Sequence, residues 1–224
     1  FFKLLNMLSG QFADGSTRRM LFPLMPEYIG YANQSVQQNA FEGRLPWIEQ
    51  IDETTHKYRV DLESLHVDPH ISAICVSRPT NPTGNVLTDG EVETLDRIAR
   101  ANDIPLLLDN AYGIPFPGMI FTEARPVWNE NIVLAMSLSK IGLPSTRTGI
   151  LIAREEIIEA ISSANAIVSL ANGSVGQAIM QPLVESGEII RLSRDVVRPF
   201  YREKSQKARA WIDEAFAARG VEYS

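Results

Sequence analysis

Two serines, a lysine and an arginine fall close together in this chain: Ser137, Ser139 and Lys140, then Arg147 seven residues beyond the lysine. Serine hydroxyls and a guanidinium hold a phosphate, and a lysine amine attacks a carbonyl carbon. The group therefore suits a small molecule that carries both a phosphate and a carbonyl. The apolar run Ile132-Val133-Leu134-Ala135-Met136 precedes it and reads as a buried strand. A lysine that close to the end of a buried strand either snorkels to solvent or has a chemical task.

Two further strand ends carry polar groups. Ile104-Pro105-Leu106-Leu107-Leu108 is a continuous apolar run, the pattern of a central strand covered on both faces, and it ends at Asp109 with Asn110-Ala111-Tyr112-Gly113 behind it. Open parallel sheets bind ligands outside the carboxyl ends of their strands. A carboxylate there caps a turn or keeps a ring nitrogen protonated, and Tyr112 could then meet a phenolic oxygen. Upstream, Ile71–Val76 runs into Ser77-Arg78-Pro79-Thr80-Asn81-Pro82-Thr83-Gly84. The prolines and glycine there forbid a regular element. Thr88-Asp89-Gly90-Glu91 fits a helix capping box, so the Asn81 loop joins a strand end to a helix start. Asn81 could donate to a phenolate oxygen. Pyridoxal phosphate carries the phosphate, carbonyl, ring nitrogen and phenolic oxygen that these groups would meet.

Asn81 and Asp109 are 28 residues apart, and Asp109 and Lys140 are 31 apart, each a suitable length for one strand–connection–strand step. In that order, Asn-Pro-Thr-Gly, Asp-Asn-Ala-Tyr and Ser-Leu-Ser-Lys through Arg147 resemble the fold-type I pyridoxal-phosphate enzymes, the aspartate aminotransferase superfamily. Pro23 to Tyr31, Ser77 to Val86, Asp109 to Gly118 and Ser137 to Gly149 resemble the bacterial valine–pyruvate aminotransferase branch. That similarity runs from about Phe1 to the region of Tyr201. It implies amino-group transfer between an aliphatic amino acid (valine or alanine) and a 2-oxo acid (pyruvate or 2-oxoisovalerate).

The resemblance also implies roles. Lys140 would join the cofactor's aldehyde carbon and move a proton between substrate Cα and the cofactor's C4′. Asp109 would partner the ring nitrogen. Asn81 and Tyr112 would bond the phenolic oxygen, and Ser137, Ser139 and Arg147 the phosphate. Tyr28 would stack on the ring, or serve as an ordinary core or interface tyrosine. Many aspartate aminotransferases place the arginine one residue further from the lysine, which points to a different branch. Two rivals use the same residues: a lyase of the superfamily, and the non-catalytic effector domain of a pyridoxal-phosphate-sensing transcription regulator.

These groups need a scaffold. The resemblance implies an α/β large domain, three layers around a mostly parallel sheet, over residues 1–190. Residues 191–224 would form a bridging helix and the start of a small C-terminal domain. Superfamily members are usually much longer than 224 residues, so the chain reads as an internal fragment. The phosphate loop upstream and the substrate-carboxylate arginine downstream are expected outside it, since Arg18, Arg78 and Arg125 read as loop or surface residues. The patterning predicts helix 1–10, strand 18–24, helix 27–35, strand 36–41, strand 71–77, helix 88–102, and strands 104–109, 131–137 and 147–153. A helix-rich tail follows from Glu155, with Pro199 as a kink or boundary.

Composition narrows the class. The net charge of −6, with no basic run, argues against nucleic-acid binding. No stretch has the length and apolarity of a membrane span. His66 and His70 are separated by Pro69, so neither they nor His56 offer a metal-binding spacing. Cys75 is the single cysteine and reads as a small buried hydrophobe, consistent with a reducing cytoplasm. The expected partners are small-molecule substrates and a second copy in a homodimer, with neither nucleic acid nor membrane.

Overall fold

Continuous apolar runs must be covered on both faces, and in the computed structural model, which describes residues 1–223, they are. The chain opens with α1 (Phe2–Leu8), β1 (Gly10–Gln11), β2 (Thr17–Phe22) and β3 (Phe41–Gly43). A hairpin of β4 (Trp47–Asp52) and β5 (Thr55–Arg59) precedes β6 (Ile71–Ser77), α2 (Asp89–Ala101), β7 (Leu106–Asp109), β8 (Ile132–Ser137) and β9 (Gly149–Ile152). Then come α3 (Glu155–Ser169), α4 (Val175–Glu185), α5 (Glu188–Leu192), a π-helical turn at Ser193–Val197 and α6 (Arg198–Ala217).

The main sheet runs β1-β2-β6-β7-β8-β9, with β3 also paired to β2. Pairings from β3 through β8 are parallel; β1 and β9 run antiparallel to their neighbours. Alternate residues of β6 serve opposite faces. Ala73 and Cys75 pack with Leu4, Leu5, Leu107 and Val133 beneath α1 and α3. Ile74 and Val76 pack with Leu106, Leu108, Val92, Leu95 and Met180 beneath α2 and α4. The result is the expected three-layer α/β arrangement. Cys75 is fully buried in it.

The capping box forms as the sequence predicts. Glu91 N–H donates to Thr88 Oγ1 at 3.2 Å, and Thr88 N–H donates to Glu91 Oε2 at 2.7 Å. Pro199 falls in the first turn of α6, just after the π turn, so it marks a boundary. No helix among the described residues is long and apolar enough to cross a membrane.

Three local expectations are corrected. Residues 27–35 form only a 3-10 turn at Ile29–Asn33, because the Tyr28 ring folds back over Gly30, where a Cβ would lie 2.2 Å from it. Residues 36–40 are not a strand. Asn6 satisfies that backbone instead, donating to Gln34 O at 2.6 Å and accepting from Val36 N–H at 2.9 Å. The β4–β5 hairpin lies where no element was expected. Its apolar residues Trp47, Ile48 and Ile51 do not alternate, and all three are exposed.

Candidate active site

Parallel register brings the ends of three strands level. Asp109 pairs with Ser77 of β6 on one side and Ala135 of β8 on the other, and Ser137 lies two residues further along β8. A cavity of about 330 Å³ opens there. Tyr28, Asn81, Asp109, Tyr112, Ser137, Ser139, Lys140 and Arg147 all line it, so the eight candidate cofactor residues converge on one space. A larger cavity of about 520 Å³ adjoins it, shares Asp109, Ser137, Ser139 and Arg147, and extends to Asn165 and Gln177.

Asp109 is the buried end of the site. Its Oδ2 accepts from the Tyr31 hydroxyl at 2.6 Å, and its Oδ1 accepts from Ala111 N–H at 3.0 Å. Burial pushes its carboxyl above the ordinary range despite these two bonds, and no lysine or arginine among the described residues offsets that cost. A cation placed against Asp109 would relieve it.

The opposite end is cationic and open. Lys140 sits in a 3-10 turn (Ser139–Ile141) directly beyond β8, exposed, with Nζ 5.0 Å from the centre of the Tyr112 ring. Ser139 N–H donates to Ser137 Oγ at 3.1 Å, which fixes that hydroxyl at the cavity wall. Arg147 has a left-handed backbone (φ 48°, ψ 40°), and its Nη1 reaches only Pro144 O, at 3.4 Å. Among the described residues neither Lys140 nor Arg147 has an acidic partner within 4 Å.

Two loops hold the remaining groups. Thr80 N–H donates to Asn85 O and Gly84 N–H to Thr80 O, both at 2.8 Å, which closes the Asn81 turn. Arg78 anchors it from below, donating to Leu87 O at 2.7 Å, Arg125 O at 3.1 Å and Asp89 Oδ1 at 2.5 Å. This corrects the reading of Arg78 as a loop or surface residue: it is 2% exposed and committed to structure, whereas Arg18 and Arg125 are surface residues paired with Asp14 and Asp89. The Tyr112 loop is closed by Asn110 Nδ2 donating to Ile114 O at 2.5 Å. Gly113 is required in that loop, because a Cβ would meet Asn110 Oδ1 at 1.8 Å and Arg78 O at 2.4 Å. Tyr28, 41% exposed, packs edge-on against Tyr31 with ring centres 5.5 Å apart.

Sequence reasoning missed Tyr31, Ser77 and Glu27, which stand behind Asp109. The Tyr31 hydroxyl lies 3.0 Å from Ser77 Oγ, and Glu27 Oε1 accepts from Ser77 N–H at 2.9 Å. One signal was available: Glu27 is a charged residue directly after the apolar stretch Leu24-Met25-Pro26. Elsewhere, Glu42, Asp68 and His70 come within 4.8 Å of one another, but Arg44 and Arg19 already pair with the Glu42 carboxylate.

Residues 46–221 match the profile of the family described as aminotransferase class I and II, and the chain belongs to that family. Pyridoxal phosphate is the family's cofactor. Among relatives, the chain is 52% identical over 212 residues to valine–pyruvate aminotransferase of Escherichia coli K12, covering 95% of this chain and 51% of that protein. It superposes on the crystal structure of valine–pyruvate aminotransferase from Salmonella typhimurium LT2 with a TM-score of 0.88 at 50% identity, covering 96% of this chain and 53% of that one. A putative amino-acid aminotransferase from Psychrobacter arcticum 273-4 gives 0.92 at 45% identity, with coverage of 96% and 52%. Thermus thermophilus aspartate aminotransferase, at 20% identity and a TM-score of 0.74, shares the fold. The chain spans about half the length of the relatives it matches.

Proposed function

We propose that the full-length protein exchanges an amino group between an aliphatic amino acid and a 2-oxo acid, with valine and pyruvate as the pair. The cavity at Lys140 is then its cofactor cradle. One observation carries the reading: a lysine without an acidic partner and a buried aspartate without a lysine or arginine partner, among the described residues, line a single cavity with a serine–arginine end. The 52% identity to a valine–pyruvate aminotransferase supports the choice of substrates.

The donor set fits pyridoxal phosphate, which when bound supplies an aldehyde carbon and an electron-withdrawing ring. Arg147 and Ser137, with Ser139 beside them, hold the phosphate by charge-assisted hydrogen bonds. Asp109 keeps the ring nitrogen protonated, and the cation it gains offsets the cost of its own burial. Asn81 and Tyr112 orient the phenolic oxygen, and Tyr28 covers the ring. Lys140, exposed on the cavity wall, would supply the amine that joins the aldehyde carbon and the base and acid that moves the Cα proton.

We assign residues 1–190 to the large domain and 191–224 to a bridge toward a small one. The near-continuous run of α5, the π turn and α6 supports that division. The exposed apolar residues Ile167, Val168 and Leu170 support a homodimer that covers them, and a cytoplasmic setting suits the chemistry.

The test is alanine formation from valine and pyruvate by the full-length protein. It is joined to borohydride reduction with the cofactor present and peptide mapping of the labelled lysine. Alanine formation with the label on Lys140 is expected. No transfer, or a label on another lysine, overturns the proposal.

A further inference from the structure

Asp109 is not the only carboxylate at this end of the sheet. Glu27, next to Tyr28, is 6% exposed. Its two oxygens accept from Ser77 N–H at 2.9 Å and from Tyr28 N–H at 3.3 Å. No lysine, arginine or histidine among the described residues acts on it, and the charge that does is that of Asp109, which disfavours its ionisation. Burial and that repulsion raise its carboxyl to about 7.

Between the two carboxylates lie two hydroxyls. Tyr31 has one proton, and the 2.6 Å contact gives it to Asp109. The Tyr31 oxygen is then an acceptor for Ser77 Oγ–H at 3.0 Å. The backbone N–H of the same Ser77 donates to Glu27 Oε1. Glu27 thus reaches Asp109 through Ser77 and Tyr31: it accepts the Ser77 N–H, the Ser77 hydroxyl meets the Tyr31 hydroxyl, and Tyr31 donates to Asp109. An ionised Glu27 is the stronger acceptor for the Ser77 N–H and adds a negative charge to the same buried region. The other titratable side chain facing the pair among the described residues is the Cys75 thiol, on the strand that carries Ser77.

We propose that Glu27 is a positioning residue for Asp109: it orients Asp109 through Ser77 and Tyr31 and couples its own ionisation to that of Asp109. The inference rests on reading Asp109 as the partner of the cofactor's ring nitrogen. With Glu27 ionised, a second negative charge favours the positive ring nitrogen that Asp109 holds. With Glu27 neutral, that support is lost. The protonation of the ring nitrogen therefore depends on a residue that does not touch the cofactor.

The experiment is an infrared pH titration of the full-length apoprotein with its aspartates 13C-labelled at the carboxyl group. This separates aspartate from glutamate bands, and Asp109→Asn assigns the Asp109 band. In the wild type the Asp109 band should shift in two steps, the upper one coinciding with the loss of a protonated glutamic acid band near neutrality. Glu27→Gln should abolish that glutamic acid band and move the Asp109 titration to lower pH in a single step. A one-step Asp109 titration in the wild type overturns the coupling, and needs no folded variant. An Asp109 titration unmoved by Glu27→Gln also overturns it and makes Glu27 a purely structural hydrogen-bond acceptor. The ring nitrogen is read separately, by its 15N shift in reconstituted protein. A shift unmoved by Asp109→Asn would remove Asp109 from the cofactor, whereas a two-step carboxyl titration would still establish the coupling.

Discussion

The guanidinium of Arg78 lies 2.5 Å from the Asp89 carboxylate, and this pair ties the end of β6 to the first turn of α2. The loop that carries Asn81 is suspended between those two points, so the shape of one cavity wall depends on an ion pair beneath it.

Asp89→Asn leaves a buried guanidinium with two carbonyls and no counter-charge. Removing one partner of a buried pair costs about 3–5 kcal/mol. Denaturant unfolding of the full-length variant should show a loss of that order. The pH dependence has a definite sign. Arg78 and Arg125 hold the Asp89 carboxyl far below the ordinary carboxylate range. Its stabilisation is therefore complete above that range and is lost as pH falls toward the depressed value. Wild-type stability should fall steeply in acid, and the variant should show a shallower slope there.

Lys140→Ala should abolish the absorption band of cofactor joined to lysine. It should also lower turnover by at least the roughly 10²–10⁴-fold typical of a lost general acid–base group. Spectra and alanine production on the same preparation check both. A variant that keeps the band would remove Lys140 from the covalent role.

Arg147→Ala should act on cofactor affinity. A charge-assisted bond of this kind contributes about 1.5–3 kcal/mol, so the cofactor Kd should rise roughly tenfold to a hundredfold. Titration of apoprotein with pyridoxal phosphate measures it. Among the described residues Arg147 has no ion pair to lose, so thermal stability of the apoprotein should change little.

Tyr31→Phe removes the shorter of the two hydrogen bonds to Asp109. The buried carboxyl should then hold its proton to still higher pH, because the bond favours the ionised form. In apoprotein a raised carboxyl means stability present at low pH and lost as pH rises through the folded-state value. The variant should show that loss at higher pH than the wild type, read by thermal melts across pH. With Asp109 as the proposed partner of the ring nitrogen, Asp109→Ala should reduce turnover far more than cofactor affinity, since it removes the support of the electron sink.

Seven of the twelve cavity-lining residues were legible because each belongs to a local signature at a strand end, an apolar run followed by Asp109, Asn81 or Lys140, whereas Tyr28 came from the family resemblance alone. Parallel register converts three such ends into one site. Tyr31 and Ser77 were not legible, because their contact spans 46 residues and leaves no spacing to read. Arg78 was misread because arginines are usually exposed, and only tertiary structure supplies the two carbonyls and the carboxylate that permit its burial. The turn at 29–33 was missed because a tyrosine folding back over a glycine is invisible to periodicity.

β9 runs back beside β8, so the segment from Ser137 to Gly149 turns through Gly142 and Arg147 without crossing the sheet. Lys140 and Arg147 therefore form a single cassette. Their separation is a matter of loop length, independent of how far apart the distant strands sit. Homologous proteins could exchange this stretch as a unit and carry the proposed covalent anchor and the proposed phosphate clamp together. Adding or deleting one residue inside it would retune the distance between the two while leaving every strand pairing intact.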